Sequence, residues 1–270
     1  VARREWGDAT GEIIAQQPNR LQNTNDVWLG DAKTGAVKKM LVDKDEAWVD
    51  VVDAWRWLPG GKDLLWLSER DGWRHAWAVA KDGTSRCITR GDYDLTSVFG
   101  LDEERGWLYV QASPDDATRR YLYRVPLAGG PAERVTPPEQ PGTHAYDLST
   151  DARFALHTAS GIDCAPMVEL VRLPEHAALR TLEANPEVAA RLAELVPLPT
   201  EFFRLDLGAG VELDGWMMRP GDFDPSRRYP LVMFVYNEPS AVQATDVWKG
   251  VRGGLFNHAL AEAGYVVACV

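Results

Sequence analysis

The sequence is poor in cysteine, with three cysteines among 270 residues. Three thiols cannot all pair with one another, and none of Cys87, Cys164 and Cys269 belongs to a Cys-x-x-Cys motif. Neither a disulfide framework nor a zinc site is therefore indicated.

Basic residues are also scarce, with 29 Lys and Arg against 40 Asp and Glu and a formal net charge of −11. Such a chain repels a phosphate backbone, so nucleic acid is not an expected partner. The sequence has no apolar run of membrane-spanning length, so we expect no membrane segment. The start, residues 1–6, carries two arginines without an apolar stretch behind them and does not read as a signal peptide, which leaves cytoplasm and periplasm both open.

The two ends of the chain predict a segment of a longer protein. There is no initiator methionine, and the sequence stops inside an apolar run, residues 264–270. The composition, 45% hydrophobic and 26% charged, is that of an ordinary globular chain. The length allows one large domain or two.

Residues 55–182 repeat themselves weakly. Copies begin near Leu58, Leu101 and Leu148, at spacings of 43 and 47 residues. Each copy holds short β-branched or aromatic runs separated by Gly, Pro or Asp turns, which is typical of strands and hairpins. A period of about 40–50 residues with about four strands per copy predicts propeller blades. The alternatives are a run of meander sheets in a sandwich, or a single all-β domain.

An earlier fragment, residues 26–41, looks like the last hairpin of a preceding blade. We therefore expect residues 1–182 to be the C-terminal part of a β-propeller, with about three blades plus part of a fourth and the missing blades upstream. An open arc of blades leaves strand edges unpaired, so a piece of this kind is expected to associate.

The pattern changes after residue 183. Residues 183–200 predict a linker with one short helix, with Asn185 as N-cap, Pro186 in the first turn, and Val188, Leu192 and Leu195 at helical spacing. Prolines then end the helix.

Residues 201–270 predict the N-terminal part of an α/β domain. Two alternating segments, 203–207 and 211–218, read as a hairpin. Leu231–Tyr236 and Tyr265–Val270 lack alternation and predict strands buried on both faces, and a helix over 255–262, ended by Gly264, lies between them. Strand, helix and strand in that order form a βαβ unit.

Two segments resemble the dipeptidyl peptidase IV branch of the prolyl oligopeptidase family of serine peptidases. The first is Trp66-Leu67-Ser68-Glu69-Arg70-Asp71-Gly72-Trp73-Arg74-His75, and the second is Phe223-Asp224-Pro225-Ser226-Arg227-Arg228-Tyr229-Pro230-Leu231-Val232-Met233-Phe234-Val235-Tyr236. The resemblance implies a β-propeller followed by an α/β-hydrolase domain. It implies a serine exopeptidase that releases N-terminal Xaa-Pro or Xaa-Ala dipeptides from peptides with a free N-terminus, without a cofactor and as a homodimer.

Most of the catalytic residues implied by this resemblance have no position in the sequence. None of the eight serines lies in a Gly-x-Ser-x-Gly elbow, and the family order places Ser, Asp and His after the strand at 265–270. The five histidines, His75, His144, His157, His176 and His258, are therefore not expected to act as the base. The paired glutamates that bind the substrate amine are expected upstream, and the adjacent acids Asp45 and Glu46 are expected to be solvated.

Tyr236 is the catalytic residue that the resemblance does place. It matches the family's tyrosine whose hydroxyl helps to form the oxyanion hole, although a strand-capping core tyrosine is the alternative. The next residues, Asn237-Glu238-Pro239, differ from the commoner Gly-Gly-Pro or Ala-Gly-Pro. Glu238 is a candidate for binding the substrate amine, or it points to water.

Two other functions remain open from the sequence. One is a non-catalytic propeller–hydrolase relative that serves as a binding module. The other is an acylaminoacyl peptidase or oligopeptidase of the same clan, which would lack the upstream glutamate pair.

Overall fold

The computed structural model describes residues 3–6, 11–236 and 242–270. The chain divides into two compact units, one formed by residues 1–114 and 123–133 and the other by residues 115–122 and 134–270. Within the described residues, no helix is both long enough and apolar enough to cross a membrane.

The described residues form five four-stranded sheets, and the first four sheets each use consecutive strands. The first sheet comprises β1 (Arg3–Trp6), β2 (Glu12–Pro18), β3 (Thr24–Asp31) and β4 (Val37–Lys44). The second comprises β5 (Arg56–Trp57), β6 (Asp63–Ser68), β7 (His75–Ala80) and β8 (Ser85–Cys87). The third comprises β9 (Leu95–Asp102), β10 (Trp107–Ala112), β11 (Tyr121–Pro126) and β12 (Glu133–Arg134). The fourth comprises β13 (Thr143–Leu148), β14 (Phe154–Gly161), β15 (Cys164–Arg172) and β16 (Ala177–Glu183).

The second, third and fourth sheets are the three copies read from the sequence. The first sheet corrects the expectation of a partial blade at the start, because β1 and β2 complete four strands there. The hairpin expected over residues 26–41 is formed by β3 and β4, which pair antiparallel. Before residue 184 the described residues thus form four four-stranded sheets, and none of these sheets is closed on itself.

Equivalent hydrogen bonds end the second and third sheets. The Thr89 hydroxyl accepts a hydrogen bond from the Ala76 N–H at 2.9 Å, and the Thr136 hydroxyl accepts one from the Leu122 N–H at 2.8 Å. The residues before the two threonines make matching bonds. Ile88 donates its backbone N–H to the Ala76 carbonyl, and Val135 donates its backbone N–H to the Leu122 carbonyl, each at 2.8 Å. The two threonine hydroxyls thus accept equivalent hydrogen bonds, which supports the sequence repeat between the second and third sheets.

Gly142, just before β13, adopts a backbone that only glycine accommodates well. Its φ is +107°, and a Cβ placed there would lie 2.3 Å from the Ser160 carbonyl oxygen. That separation is far below van der Waals contact, and the obstacle is backbone rather than a flexible side chain.

Gly142→Ala is therefore expected to lower the free energy of unfolding by more than about 2 kcal/mol, because strain at positive φ adds to the steric conflict. Gly210→Ala is the matched control, since Gly210 also has positive φ, +80°, but no atom within 4 Å of the added Cβ. The control is expected to cost about 1 kcal/mol. Urea denaturation of the two variants measures the difference, and equal losses would contradict the steric explanation.

The linker helix α1 (Pro186–Leu192) begins after Asn185 and carries a proline in its first turn, as predicted. Asn185 lies in the left-handed region at φ 49°, and its side chain makes no cap bond to the helix. Its Nδ2 instead donates to the Pro166 carbonyl at 2.6 Å. Leu195 lies beyond the helix, and none of the helical residues is buried, so the apolar spacing does not mark a core-facing stripe here.

The fifth sheet has the order β17 (Thr200–Asp206), β18 (Glu212–Met218), β20 (Val266–Cys269) and β19 (Leu231–Phe234). β17 and β18 form the predicted antiparallel hairpin. β19 and β20 pair in parallel and are connected through a π-helical turn (Val251–Leu255) and helix α2 (Phe256–Glu262), which makes the predicted βαβ unit.

Gly264 ends helix α2 with two backbone bonds. Its own N–H donates to the Ala261 carbonyl at 3.0 Å, and the Tyr265 N–H donates to the Leu260 carbonyl at 3.1 Å. With φ at +92° for the glycine, this is a Schellman motif, and it confirms Gly264 as the residue that stops the helix.

The two parallel strands differ in burial, which corrects one expectation. Val267, Ala268 and Cys269 of β20 are buried, as predicted. Leu231 and Met233 of β19 are about half exposed, at 55% and 46%. The reason is positional, because β19 is the edge strand of the sheet and helix α2 packs against β18 and β20.

Candidate active site

Tyr236 lies just beyond the C-terminal end of β19. The strand ends at Phe234, whose partner across the parallel pair is Cys269. In open α/β sheets the carboxyl ends of parallel strands are the edge at which ligands bind. The Tyr236 side chain is 58% exposed in this chain. A phenol at this position is accessible to a ligand at the carboxyl edge.

Cys269, at the end of β20, is not an activated nucleophile. The residue is 2% exposed, and burial raises the pKa of its thiol above the ordinary value. A thiol is a weak nucleophile until it ionises, and a raised pKa keeps it protonated at neutral pH.

Lys249 lies in the same unit and is also partly desolvated. Burial lowers the pKa of its ammonium group. Its Nζ donates to the Thr245 hydroxyl at 3.1 Å and to the Gln243 carbonyl at 3.4 Å. These two bonds hold the loop before the π-helical turn, and they give Lys249 a structural role.

Glu238 lies outside the described residues, together with Asn237 and Pro239. The structure therefore does not place the carboxylate that the sequence offers as a partner for a substrate amine. The other acidic candidates, Asp45 and Glu46, are exposed in the connection between β4 and β5. There the Asp45 carboxylate accepts the Ala47 N–H at 2.7 Å, as in a capped turn.

The five histidines all have partners in loops or within sheets. His75 is 2% exposed and reaches the Gly91 carbonyl at 3.1 Å through Nε2, so it holds the turn that follows β8. His258 on α2 reaches the Val196 carbonyl at 2.7 Å and ties the linker to the helix. The remaining three, His144, His157 and His176, are gathered on the fourth sheet.

The Ser-Glu-Arg-Asp-Gly segment has a structural role that connects two sheets. Ser68 and Arg70 both bond to the carboxylate of Asp43 on β4, through Ser68 Oγ and Arg70 Nη2, each at 2.7 Å. The indole N–H of Trp66 donates to the other oxygen of the same carboxylate. Asp43 is 5% exposed, so this is a buried, fully engaged charge.

Asp43 was not predicted from the sequence, in which the adjacent acids Asp45 and Glu46 were the acidic candidates of this segment. The structure supplies the register, because Leu41 and Asp43 are buried on β4 while Val42 and Lys44 are exposed. An aspartate on the inward face of a strand predicts a buried partner, here supplied by the motif on β6 and the turn after it.

Metal ligands are not gathered anywhere in the part of the chain that the structure describes. No group of three or more His, Cys, Asp or Glu side chains there is placed to hold a metal ion.

Comparison with known proteins decides the family. The family model described as the dipeptidyl peptidase IV N-terminal region matches residues 1–166. The chain belongs to the dipeptidyl peptidase IV family. The resemblance read from the two sequence segments is thereby confirmed, and the first four sheets fit the propeller-like region of that family.

Curated relatives carry the same kind of name. A probable dipeptidyl peptidase 4 of Aspergillus flavus is 25% identical over 96% of this chain, which covers 34% of that protein. A probable dipeptidyl-aminopeptidase B of Aspergillus oryzae is 27% identical over 86% of this chain and 27% of that protein. The chain thus spans about a third of the length of the relatives it matches.

Solved structures agree with the fold. Dipeptidyl peptidase 4 of Porphyromonas gingivalis matches 98% of this chain with a TM-score of 0.88 and 30% identity, and the match covers 37% of that protein. A putative dipeptidyl aminopeptidase IV of Bacteroides ovatus matches with a TM-score of 0.82 at 18% identity, which speaks for the fold alone.

Proposed function

We propose that this chain is part of a serine exopeptidase that removes N-terminal dipeptides, with Pro or Ala at the second position, through an acyl-enzyme. In this proposal residues 1–182 are propeller, residues 183–200 connect, and residues 201–270 begin an α/β-hydrolase domain. The names of the relatives support the reaction, and the parallel β19–α2–β20 unit supports the hydrolase assignment.

Tyr236 is the residue of this chain that we assign to the chemistry. When a serine attacks the scissile carbonyl, negative charge develops on the carbonyl oxygen. A phenol O–H, together with a backbone N–H beside the serine, donates hydrogen bonds to that charge and lowers the barrier. The observation that carries the assignment is the exposed position of Tyr236 at the carboxyl edge of the β19–β20 pair.

The substrate amine is the second point of recognition. A free N-terminus is cationic at neutral pH, and the acidic balance of the chain, −11, favours approach of a cation. In the proposal the amine is bound by a glutamate pair outside these residues, and Glu238 is a further candidate. Homodimerisation of the whole protein belongs to the same proposal.

The experiment is a substrate comparison with the intact protein that contains this chain. Gly-Pro-p-nitroanilide is expected to be cleaved, and treatment with a serine-directed phosphonate is expected to abolish that cleavage. The same compound with its N-terminal amine acylated is expected to be a poor substrate. Preference for the acylated compound would instead indicate an acylaminoacyl peptidase. No cleavage of either compound would favour the non-catalytic binding module and overturn the proposal.

The 270 residues alone are expected to release no p-nitroaniline, because they contain no Gly-x-Ser-x-Gly elbow. An oxyanion donor without a nucleophile has no intermediate to stabilise. The measurement is the same assay with the purified segment at high concentration, checked with the phosphonate. Phosphonate-sensitive release would show that a nucleophile is present in these residues and would contradict the assignment.

A further inference from the structure

The loop between β19 and α2 contains an aspartate that is bonded to two other parts of the chain. Asp246 is 9% exposed. Its Oδ1 accepts a hydrogen bond from the Ile162 backbone N–H at 2.9 Å, and its Oδ2 accepts one from Arg119 Nε at 3.3 Å. Its own backbone N–H donates to the Thr118 carbonyl at 2.6 Å. Both carboxylate oxygens and the main chain of Asp246 therefore hold the loop in place.

The segments that bond to Asp246 are loops of two different sheets. Thr118 and Arg119 lie between β10 and β11 of the third sheet, and Ile162 lies in the two-residue turn between β14 and β15 of the fourth sheet. All four residues belong to the second compact unit. Asp246 is 84 residues from Ile162 and 127 residues from Arg119 along the chain, so these bonds are tertiary contacts and not part of a local turn.

The β14–β15 hairpin leaves room for the carboxylate. A Cβ added at Gly161, the last residue of β14, would lie 3.2 Å from Asp246 Oδ1, which is closer than ordinary van der Waals contact. The Trp248 N–H also reaches the Ser160 hydroxyl at 3.4 Å, so the loop meets this hairpin at a second point. A glycine at position 161 therefore favours the close approach of the loop to the hairpin.

The loop around Asp246 is also ordered by bonds of its own. The Thr245 N–H donates to the Gln243 carbonyl at 3.0 Å, and the Val247 N–H donates to the Thr245 carbonyl at 2.9 Å. Lys249 adds its bonds to the same loop. This stretch is therefore one hydrogen-bonded piece, and a restraint on Asp246 acts on all of it.

The same loop packs at the carboxyl edge where Tyr236 lies. Ala244, two residues before Asp246, is 6% exposed and belongs to a buried cluster that includes Cys269. Cys269 is the partner of Phe234 across the β19–β20 pair, and Tyr236 follows Phe234 by two residues. The loop that Asp246 holds therefore packs against the strand end next to the phenol.

The position of Tyr236 depends on more than the sheet. Phe234 and Cys269 are the last residues that β19 and β20 pair, so the ladder between these two strands ends before Tyr236. A hydrogen-bond donor stabilises an oxyanion well only when it is held within about 0.5 Å of the productive position. Restraints on the chain that follows the tyrosine therefore bear on its chemistry.

We propose that Asp246 is a positioning residue for Tyr236. It fixes the loop that follows the tyrosine to the β10–β11 loop and the β14–β15 turn, and so keeps the phenol hydroxyl at the place where the oxyanion forms. Asp246 itself touches neither the substrate nor the reacting atoms. This inference rests on the proposed peptidase function and adds a residue to it.

Kinetics of the intact protein with Gly-Pro-p-nitroanilide test the proposal. Asp246→Ala is expected to lower kcat about tenfold with KM within a few fold, because a displaced donor affects the transition state more than the bound substrate. Asp246→Asn is expected to keep most of the activity. Its amide oxygen still accepts the Ile162 N–H, and Arg119 Nε keeps Asp116, whose Oδ2 lies at 3.4 Å.

The double variant separates positioning from a general effect on the fold. If Asp246 acts through the phenol hydroxyl, its removal has little left to disturb once that hydroxyl is gone. Asp246→Ala should therefore lower kcat less than about twofold in the Tyr236→Phe protein. A loss of kcat by the same factor in both backgrounds would overturn the proposal.

Asp163→Ala is the matched control. Asp163 is the other residue of the β14–β15 turn, and its carboxylate accepts the N–H and the hydroxyl of Thr200, each at 3.0 Å. These bonds tie the turn to the start of β17 and not to the loop after Tyr236. The control is expected to lose stability with kcat nearly unchanged. A loss of kcat equal to that of Asp246→Ala would overturn the role given to Asp246.

Asp246→Glu covers the case in which Asp246→Ala does not fold. Glutamate keeps the charge and both acceptor oxygens but places them one methylene farther from the backbone. It is expected to lower kcat in the Tyr236 protein and to have little effect in the Tyr236→Phe protein. A kcat equal to that of the unmodified protein would show that only the charge matters and would overturn the positioning role.

Failure of the proposed function and failure of this inference give different results. An unmodified protein that cleaves no dipeptide substrate would remove the proposed function and this inference with it. An active unmodified protein whose kcat does not change in Asp246→Ala would leave the peptidase function in place and overturn the inference alone.

Discussion

In the proposed exopeptidase reaction, replacing Tyr236 by phenylalanine is expected to lower kcat of the intact protein by roughly 10²–10³, while KM for Gly-Pro-p-nitroanilide stays within a few fold. The ring is kept and only the hydroxyl is lost. Its hydrogen bond strengthens as negative charge forms on the carbonyl oxygen, so the transition state loses more than the bound substrate does.

Tyr229→Phe is the matched control for this experiment. Its hydroxyl accepts the Asp224 N–H at 2.8 Å, so it supports the turn that leads into β19 and lies away from the carboxyl edge. Loss of that bond is expected to cost about 0.5–1.5 kcal/mol of stability and to leave kcat nearly unchanged. An unchanged kcat in Tyr236→Phe, with a lowered melting temperature, would show that Tyr236 supports the fold instead.

Asp43→Ala is expected to lower the free energy of unfolding of the first unit by about 3–5 kcal/mol. The change removes the acceptor for the Trp66 indole, the Ser68 hydroxyl and the Arg70 guanidinium in a site where Asp43 is 5% exposed. Buried donors that lose their acceptor carry the full cost of desolvation. Urea denaturation followed by tryptophan fluorescence measures the loss.

Asp45→Ala is the control for the buried carboxylate. Asp45 lies two residues further along the same chain segment, exposed, and accepts backbone N–H groups of its own turn. Its removal is expected to cost no more than about 1 kcal/mol. If the two alanine variants lose the same stability, the contact between β4 and the Ser-Glu-Arg-Asp-Gly segment does not hold the two sheets together.

The sheets could be predicted from the sequence because the same pattern of short strands and turns occurs several times. One copy with short apolar runs is ambiguous, but three copies at spacings of 43 and 47 residues constrain one another. The βαβ unit was predictable for a local reason, since Gly264 stops a helix just before an apolar run. The partial first blade was misjudged although Gly11, between β1 and β2, and Pro18-Asn19, at the end of β2, are turn residues like those of the later copies.

Burial was harder to predict than the strands themselves. On β14 the large apolar side chains of Phe154 and Leu156 are 39% and 44% exposed, whereas Ala155 and His157 are buried. Polar partners on the neighbouring strands decide this, because His157 bonds to His144 and lies near Glu169. Such partners are distant in sequence and leave no periodic signal.

The position of Tyr236 was predictable and its exposure was not. An unbroken apolar run suggests a strand covered on both faces, but β19 is an edge strand whose residues remain largely open. Coverage depends on what packs against a strand, and composition of the strand alone does not report it.

The most direct test of the account is the affinity of a transition-state analogue for the intact protein. A dipeptide boronic acid with a free amine forms a tetrahedral adduct with a catalytic serine and places negative charge where the oxyanion forms. If Tyr236 donates to that charge, Tyr236→Phe should weaken the inhibition constant by roughly 10²–10³, with binding of the Gly-Pro product unchanged. Equal inhibition constants for the two proteins would contradict the role given to Tyr236.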